Sequence, residues 1–312
     1  MLMNHVLRLT RIRGRLIAIA VALIAPVGTV AFASPALAKA PKPKAPTGDF
    51  VVFGGCPRTA AGVNFCFVSH TTGGEVLLGL QDVPIINPIV LQGGIIRNEE
   101  TEAESFVGAV NEETLSRAPE PVPGGLLGLI KCPELTNLVA RIDCERTFEN
   151  GLTGVNAVTE LARPASEIKI NKDNLINGEG VALSLPVKFH LENPLLGPEC
   201  YIGSSAHPII WNLTSGTTEP RGFFGKPITG KIGTLEIKDK AAFTELTGNS
   251  LVDNTFTVPG ASGCGGILAV FLDPLLDLKI ALPSPAGVSK AILDNTIQEA
   301  TTKGITKSEK PI

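Results

Sequence analysis

Val181-Ala182-Leu183-Ser184-Leu185-Pro186-Val187-Lys188-Phe189-His190-Leu191 is the stretch on which the fold turns. Val181, Leu183, Leu185, Val187, Phe189 and Leu191 are apolar at every second position, a period of two that sends one face to a core and the other to water. The stretch is therefore predicted to be a half-buried strand. Pro186 lacks an N–H and falls on the outer face, which predicts an edge strand or a bulge. His190, on the same face as Lys188, is expected in solvent. The turn-rich bridge Asn193-Pro194-Leu195-Leu196-Gly197-Pro198 then reverses the chain into Cys200-Tyr201-Ile202, and a further strand carries Ile209, Trp211 and Leu213. The chain's one Trp and one Tyr both lie in this region.

Working outward, strand signals occur at Phe50–Phe53, Val63–Val68, Glu75–Leu80 and Val83–Leu91, where Pro84 and Pro88 predict irregular or edge pairing. Residues 155–162 fit a short helix or strand ended by Arg163-Pro164, and 171–180 read as a polar connection. Downstream, Leu235 and Ile237, then Leu251–Val258, read as strands. The continuous apolar run Gly265–Leu272 predicts a strand buried on both faces, and Leu276, Leu278, Ile280 and Leu282 restore alternation. One helix is expected, from about Gly287 to Thr302, with Val288, Ile292, Leu293, Ile297 and Ala300 near one side. Residues 303–312 read as a frayed tail.

With 33 Gly and 24 Pro in 312 residues and many short apolar runs, the composition predicts a turn-rich, mostly β fold. The first 38 residues hold Arg8, Arg11, Arg13 and Arg15, no acid, an apolar run from Leu16 to Ala33 and the ending Ala36-Leu37-Ala38. A basic head, an apolar middle and a small-x-small close are the pattern of a secretory signal, and an uncleaved anchor is the alternative. Residues 39–48, rich in Lys and Pro, read as a spacer. Beyond the leader, 23 of the 27 Lys+Arg remain against all 30 Asp+Glu, a net charge of −7 that makes nucleic acid a poor partner.

All six cysteines, Cys56, Cys66, Cys132, Cys144, Cys200 and Cys264, follow the leader, which predicts three disulfides in an exported protein. Two connectivities compete. Short matches at offsets of 132 to 138 residues, such as Cys66-Phe67-Val68 with Cys200-Tyr201-Ile202, suggest two related β units, 49–166 and 180–302, and then Cys66–Cys132, Cys56–Cys144 and Cys200–Cys264. Sequential pairing gives Cys56–Cys66, Cys132–Cys144 and Cys200–Cys264. The last bridge is common to both.

No nucleophile elbow, zinc-helix motif, phosphate-binding loop or dinucleotide fingerprint occurs. Ser166-Glu167-Ile168-Lys169 matches the Ser-x-x-Lys of penicillin-recognising enzymes, but the later Lys-Thr-Gly is replaced by Lys231-Ile232-Gly233 and the setting is a strand. His70, His190 and His207 share no metal spacing. No catalytic residue, metal site or cofactor is expected. The Leu-rich loops at Leu126, Leu127, Leu195 and Leu196, with Tyr201 and Trp211, are the candidate ligand or partner contacts.

Several segments resemble an uncharacterised group of exported proteins from high-GC Gram-positive bacteria. These are Pro46-Thr47-Gly48-Asp49-Phe50, Val83-Pro84-Ile85, Leu91-Gln92-Gly93-Gly94, Pro123-Gly124-Gly125-Leu126-Leu127-Gly128, Leu191-Glu192-Asn193-Pro194, Cys200-Tyr201-Ile202-Gly203, Leu213-Thr214-Ser215-Gly216-Thr217-Thr218 and Ser250-Leu251-Val252-Asp253-Asn254-Thr255-Phe256. The resemblance implies export and a shared fold, and assigns no site. The expectation is a secreted, disulfide-stapled, antiparallel β-sandwich-like protein, of one unit or two related units, with a short C-terminal helix. Its expected role is non-catalytic, through surface contact with cell-wall or lipid components. A carrier of apolar ligands and an unrecognised hydrolase are the alternatives.

Overall fold

Two long strands form the spine of the structure, β2 (Phe65–Leu78) and β15 (Lys290–Thr301), paired antiparallel from Phe65↔Thr301 to Leu77↔Lys290. The computed structural model describes residues 44–98, 100–101, 103–127, 153–220 and 225–311, with Lys44, Leu127 and Pro311 described by backbone alone. The predicted leader, Cys132 and Cys144 lie outside the described residues. A register shift near Thr71 lets β2 run unbroken through Gly73-Gly74, so the two strands read at 63–68 and 75–80 are one. Gly74 is required at that point, since its φ is +103° and an added Cβ would sit on the Ile292 carbonyl oxygen.

Strands are numbered in chain order. The first sheet runs β12 (Thr234–Lys238), β13 (Phe243–Asp253), β15, β2, β4 (Ile89–Arg97), β5 (Glu104–Gly108), with β3 (Gln81–Pro84) beside β4 along the same edge of β2. Pro84 and Pro88 flank the break between β3 and β4, as expected of irregular pairing. The second sheet runs β14 (Ala261–Ser262), β10 (Tyr201–Ile202), β9 (Leu183–Glu192), β7 (Asn156–Leu161), β6 (Pro119–Pro121). In it β11 (Ile209–Leu213) continues β10 along one edge of β9, and β8 (Lys169–Ile170) continues β7 along the other. Every pairing is antiparallel, so the expected mostly β, antiparallel fold is what forms. Each sheet takes strands from both sides of residues 166–180, and neither corresponds to one of the units 49–166 and 180–302 alone.

The opening stretch is thus the hub of a sheet and not its edge. Pro186 is tolerated there because its carbonyl accepts from Ala162 N–H, so its nitrogen faces the same side, where β7 has ended at Val187 and β8 begins at Ser184. No ladder bond is lost. His190 also departs from expectation. It is buried, because the Pro198 turn folds over it and the Tyr201 ring stacks on it at 4.6 Å.

The main core lies between the sheets, with Phe67, Leu91, Ile95, Leu293 and Ile297 facing Leu183, Leu185, Val187, Phe189 and Trp211. A second cluster covers the outer face of the first sheet. There Phe50 and Phe53, from a 3-10 turn at Gly48–Phe53 that the sequence reads as a strand, meet Phe243 edge-on with Val68 and Ile305. The 3-10 turn begins at Gly48, whose φ of +64° suits it to a turn.

Three helices complete the described chain. α1 (Lys172–Asn177) replaces the expected polar connection and is capped by the Asn171 side chain accepting from Asn174 N–H. α2 (Ala269–Ile280) stands where two strands are expected. Gly265 and Gly266, both at positive φ, turn the chain, after which Leu272, Leu276 and Ile280 recur every fourth residue toward the core. α3 (Thr302–Ser308) is the C-terminal helix, and the 287–302 stretch that reads as helical is β15. Its apolar residues also alternate, with Ala291, Leu293 and Ile297 inward, and pairing with β13 and β2 on both sides decides between the two periods. The expected frayed tail is instead α3 followed by β16 (Lys310–Pro311), which pairs with β1 (Lys44–Ala45) and so orders the end of the spacer as well.

Cys56–Cys66 and Cys200–Cys264 are bonded, and no described cysteine is free. The first bridge overturns the connectivity built on a duplication, since Cys66 cannot also join Cys132. Lys172 on α1 ties the layers from the side. Its ammonium lies 3.2 Å from Glu104 on β5 and 2.5 Å from Glu299 on β15, over the Phe65 ring. Burial lifts the pKa of Glu299 although Lys172 opposes it.

Two predictions follow from this packing. Replacing Cys200 and Cys264 together by Ala opens a loop closed across 64 residues and lowers the unfolding free energy by about 4 kcal/mol, read from denaturant curves. Asp253 is fully buried, accepts from the Asn212 and Thr255 amides and the Thr255 hydroxyl, and has its pKa raised by desolvation. The native state then holds this proton more tightly than the unfolded chain, so the Asp253 contribution to stability falls as pH rises from the ordinary aspartate value to the raised one. A carboxyl-carbon NMR titration places its midpoint above the usual aspartate range.

Candidate functional site

α2 carries the most unusual surface of the described molecule. Its two carboxylates point inward: Asp273 accepts from the Gly263 and Cys264 amides at 3.0 and 2.9 Å, and Asp277 accepts from Ala261 N–H at 2.7 Å. The four-residue spacing puts both on one face, and the loop they hold is the one that Cys264 fastens to Cys200. Burial raises the pKa of Asp277, with the neighbouring Asp273 charge adding to it. At the other end, Lys279 donates to the Leu126 and Gly125 carbonyls at 2.6 and 3.2 Å, fastening α2 to a 3-10 turn at Gly125–Leu127, and burial lowers its pKa.

With the carboxylates turned in, the outward face is apolar. Ile267 and Leu268 of the preceding 3-10 turn and Val270, Phe271, Leu275 and Leu278 of α2 are all exposed, Ile267 to 97% and Leu278 to 80%. Leu195 and Leu80 extend the face, for Gly265 N–H donates to the Leu196 carbonyl beside the one, and Leu80 N–H donates to the Ile280 carbonyl at the other. A helix that is apolar all round is normally buried on every side, and here only one side meets the core.

Beneath α2 lies a narrow apolar slot at the end of the sandwich, between Leu78, Val83, Leu126, Leu196, Leu276 and Ile280. It encloses about 50 Å³. Ligand sites for drug-sized molecules run to roughly 300–1,000 Å³, so the slot is closed to an acyl chain with α2 in place.

The six residues singled out as contacts are therefore dispersed. Leu126 and Leu196 meet in the slot, Leu196 fully buried, while Leu195 is exposed beside α2. The side chain of Leu127 lies outside the described residues. Tyr201 is committed to a stack with His190 on one side and the Lys188 ammonium, 3.9 Å from its ring centroid, on the other. Trp211 is a core residue, 2% exposed, against Phe189 and Phe256. Sequence reasoning missed the α2 face, and the signal for it was the pair Asp273 and Asp277: two carboxylates four apart inside an apolar run suit a helix.

Around His190 a polar cluster closes on itself. Nε2 lies 3.0 Å from the Pro198 carbonyl, Nδ1 faces Arg117, and Arg117 pairs with Glu160 at 2.8 Å. It clasps the Pro198 turn to the sheet. Ser166 and Lys169 stand exposed, Ser166 in the middle of a 3-10 turn (Ala165–Glu167) and Lys169 on β8, not on an α-helix. Among the described residues no three His, Cys, Asp or Glu side chains are placed to hold a metal ion, and no helix is long and apolar enough to cross a membrane. Comparison with protein-family models, with curated proteins and with solved structures returned no match, so the class stated by fold and site is that of a disulfide-stapled antiparallel β-sandwich-like protein with an apolar helix face at one end.

The inward carboxylates should matter for the lie of α2. Asp273→Ala leaves two part-buried amides without their acceptor and costs about 1–3 kcal/mol, with faster amide hydrogen exchange confined to α2 and residues 261–268.

Proposed function

We propose that this chain is an exported, non-catalytic protein of the cell envelope that works by contact, and that the outer face of α2 is its contact surface, laid against lipid. The observation that carries the reading is the orientation of α2: Asp273 and Asp277 are spent on backbone amides, leaving six large apolar side chains from Ile267 to Leu278 facing outward. Among the described residues, the exposed positions of that face, Ile267, Leu268, Val270, Phe271, Pro274, Leu275 and Leu278, carry no charged or hydrogen-bonding side chain. The acyl region of a bilayer asks for neither, and a helix at the tip of a sandwich can enter the interface without burying the polar sheet surfaces.

Two further features support this reading. The disulfides suit an oxidising compartment, and the leader-like first 38 residues and the resemblance to exported proteins point the same way. The spacer enters the fold where Thr47 bonds Ser308, at the start of β2, whereas α2 sits where β2 ends. Fourteen residues of strand separate those ends by roughly 45 Å. The apolar face thus lies at the opposite end of β2 from Thr47, where the spacer enters the fold. The carrier alternative is less well supported, given the size of the slot.

Flotation with vesicles tests the reading. The mature chain floats with zwitterionic phosphatidylcholine vesicles, no better with anionic ones because the chain is itself acidic, and with little dependence on salt. Phe271→Asp with Leu275→Asp lowers the bound fraction tenfold or more while leaving the melting temperature unchanged, since burying each such side chain contributes about 1.5–3 kcal/mol. Equal flotation of the variant and the native chain would sink the proposal, as would a dimer that dissociates on the same substitutions.

A further inference from the structure

Midway between the sheets a group of polar side chains interrupts the apolar core. Ser69 and Thr71 lie on the inward face of β2 with Phe67, and Asn295 lies on the inward side of β15 between Leu293 and Ile297. From the opposite sheet come Thr159 on β7 and Trp211 on β11. All five are buried, and with Leu185 and Leu293 they surround an enclosed space of about 30 Å³.

The hydrogen bonding in this space is incomplete on the protein side. Trp211 Nε1 is buried and meets no acceptor, and its ring packs edge-on to Phe189 and tilted against Phe256. An indole N–H can only donate. Ser69, Thr71 and Thr159 line the same space, each with a hydroxyl that can both donate and accept. Asn295 is already engaged, its side-chain oxygen accepting from Asn249. Buried polar groups in native proteins nearly always find partners, and a space above roughly 10–15 Å³ with two to four polar neighbours is what a structural water requires.

We propose that this cavity is a binding site for one water molecule, at most two, accepting from Trp211 Nε1 and exchanging hydrogen bonds with the Thr159, Thr71 and Ser69 hydroxyls. No carboxylate or imidazole lines it, so the chemistry is that of a small neutral donor and acceptor and not of a cation. Because the partners come from both sheets, the bound water fixes how one sheet sits on the other at the centre of the sandwich.

The chain's one tryptophan reports on the site directly. Thr159→Val and Thr71→Val are near-isosteric and remove only a hydroxyl. Each is expected to lower the melting temperature by about 2–4 °C and to shift the Trp211 emission to the blue, and the double variant to lose less than the two shifts added, since both act on one bound molecule. Either variant melting at or above the native temperature with unchanged emission would overturn the proposal, for the hydroxyls would then be idle. A crystal structure of the mature chain gives a second reading that needs no variant. Density for a water within hydrogen-bonding distance of Nε1 supports the site, and a hydroxyl bonded straight to Nε1 with no such density rejects it.

Discussion

The arrangement rests on what β9 pairs with. Four strands hydrogen-bond to its two edges, and it can host them only because Pro186 falls at the one position where neither β7 nor β8 asks for an N–H. From that strand the chain of dependence runs outward through β10 to β14, through the Cys200–Cys264 bridge to the loop at Gly263, and through Asp273 to α2. The apolar face of the molecule is thus placed by backbone pairing, one covalent link and two carboxylates in series.

Much of the fold was legible where local pattern and global pairing agree. The alternation at 183–191 is a strand, Cys200–Cys264 forms, and the prolines at 84 and 88 break pairing where they should. The misreadings share one physical origin. At 287–302 the apolar residues satisfy both a helical stripe and a two-residue period, and the choice is made by β13 and β2, strands some 40 and more than 200 residues away. At 265–272 the continuous apolar run reads as a strand buried on both faces because apolarity normally is, yet what matters there is where Asp273 and Asp277 find donors. His190 was placed in solvent by parity alone, which says nothing about a turn folding back over the outer face.

The candidate site was partly readable for the same reason. Leu126, Leu195 and Leu196 do border α2, because Gly/Pro-bounded leucines gather at one end of a sandwich, whereas Tyr201 and Trp211, chosen as rare aromatics, are consumed by packing. Rarity in composition carried no information about exposure. Orientation of a helix did, and orientation is set by polar groups that a hydropathy reading passes over.

The clasp of β1 to β16 gives the body an asymmetric response to mechanical load. Tension between Thr47 and α2 runs along β2 and β15, so it would have to slide one long strand past the other with the bonds of their shared ladder strained at once. Tension between Lys44 and Pro311 instead peels a ladder of two residue pairs, one bond after another. A protein so built resists being dragged from its tip far better than it resists being opened at its base.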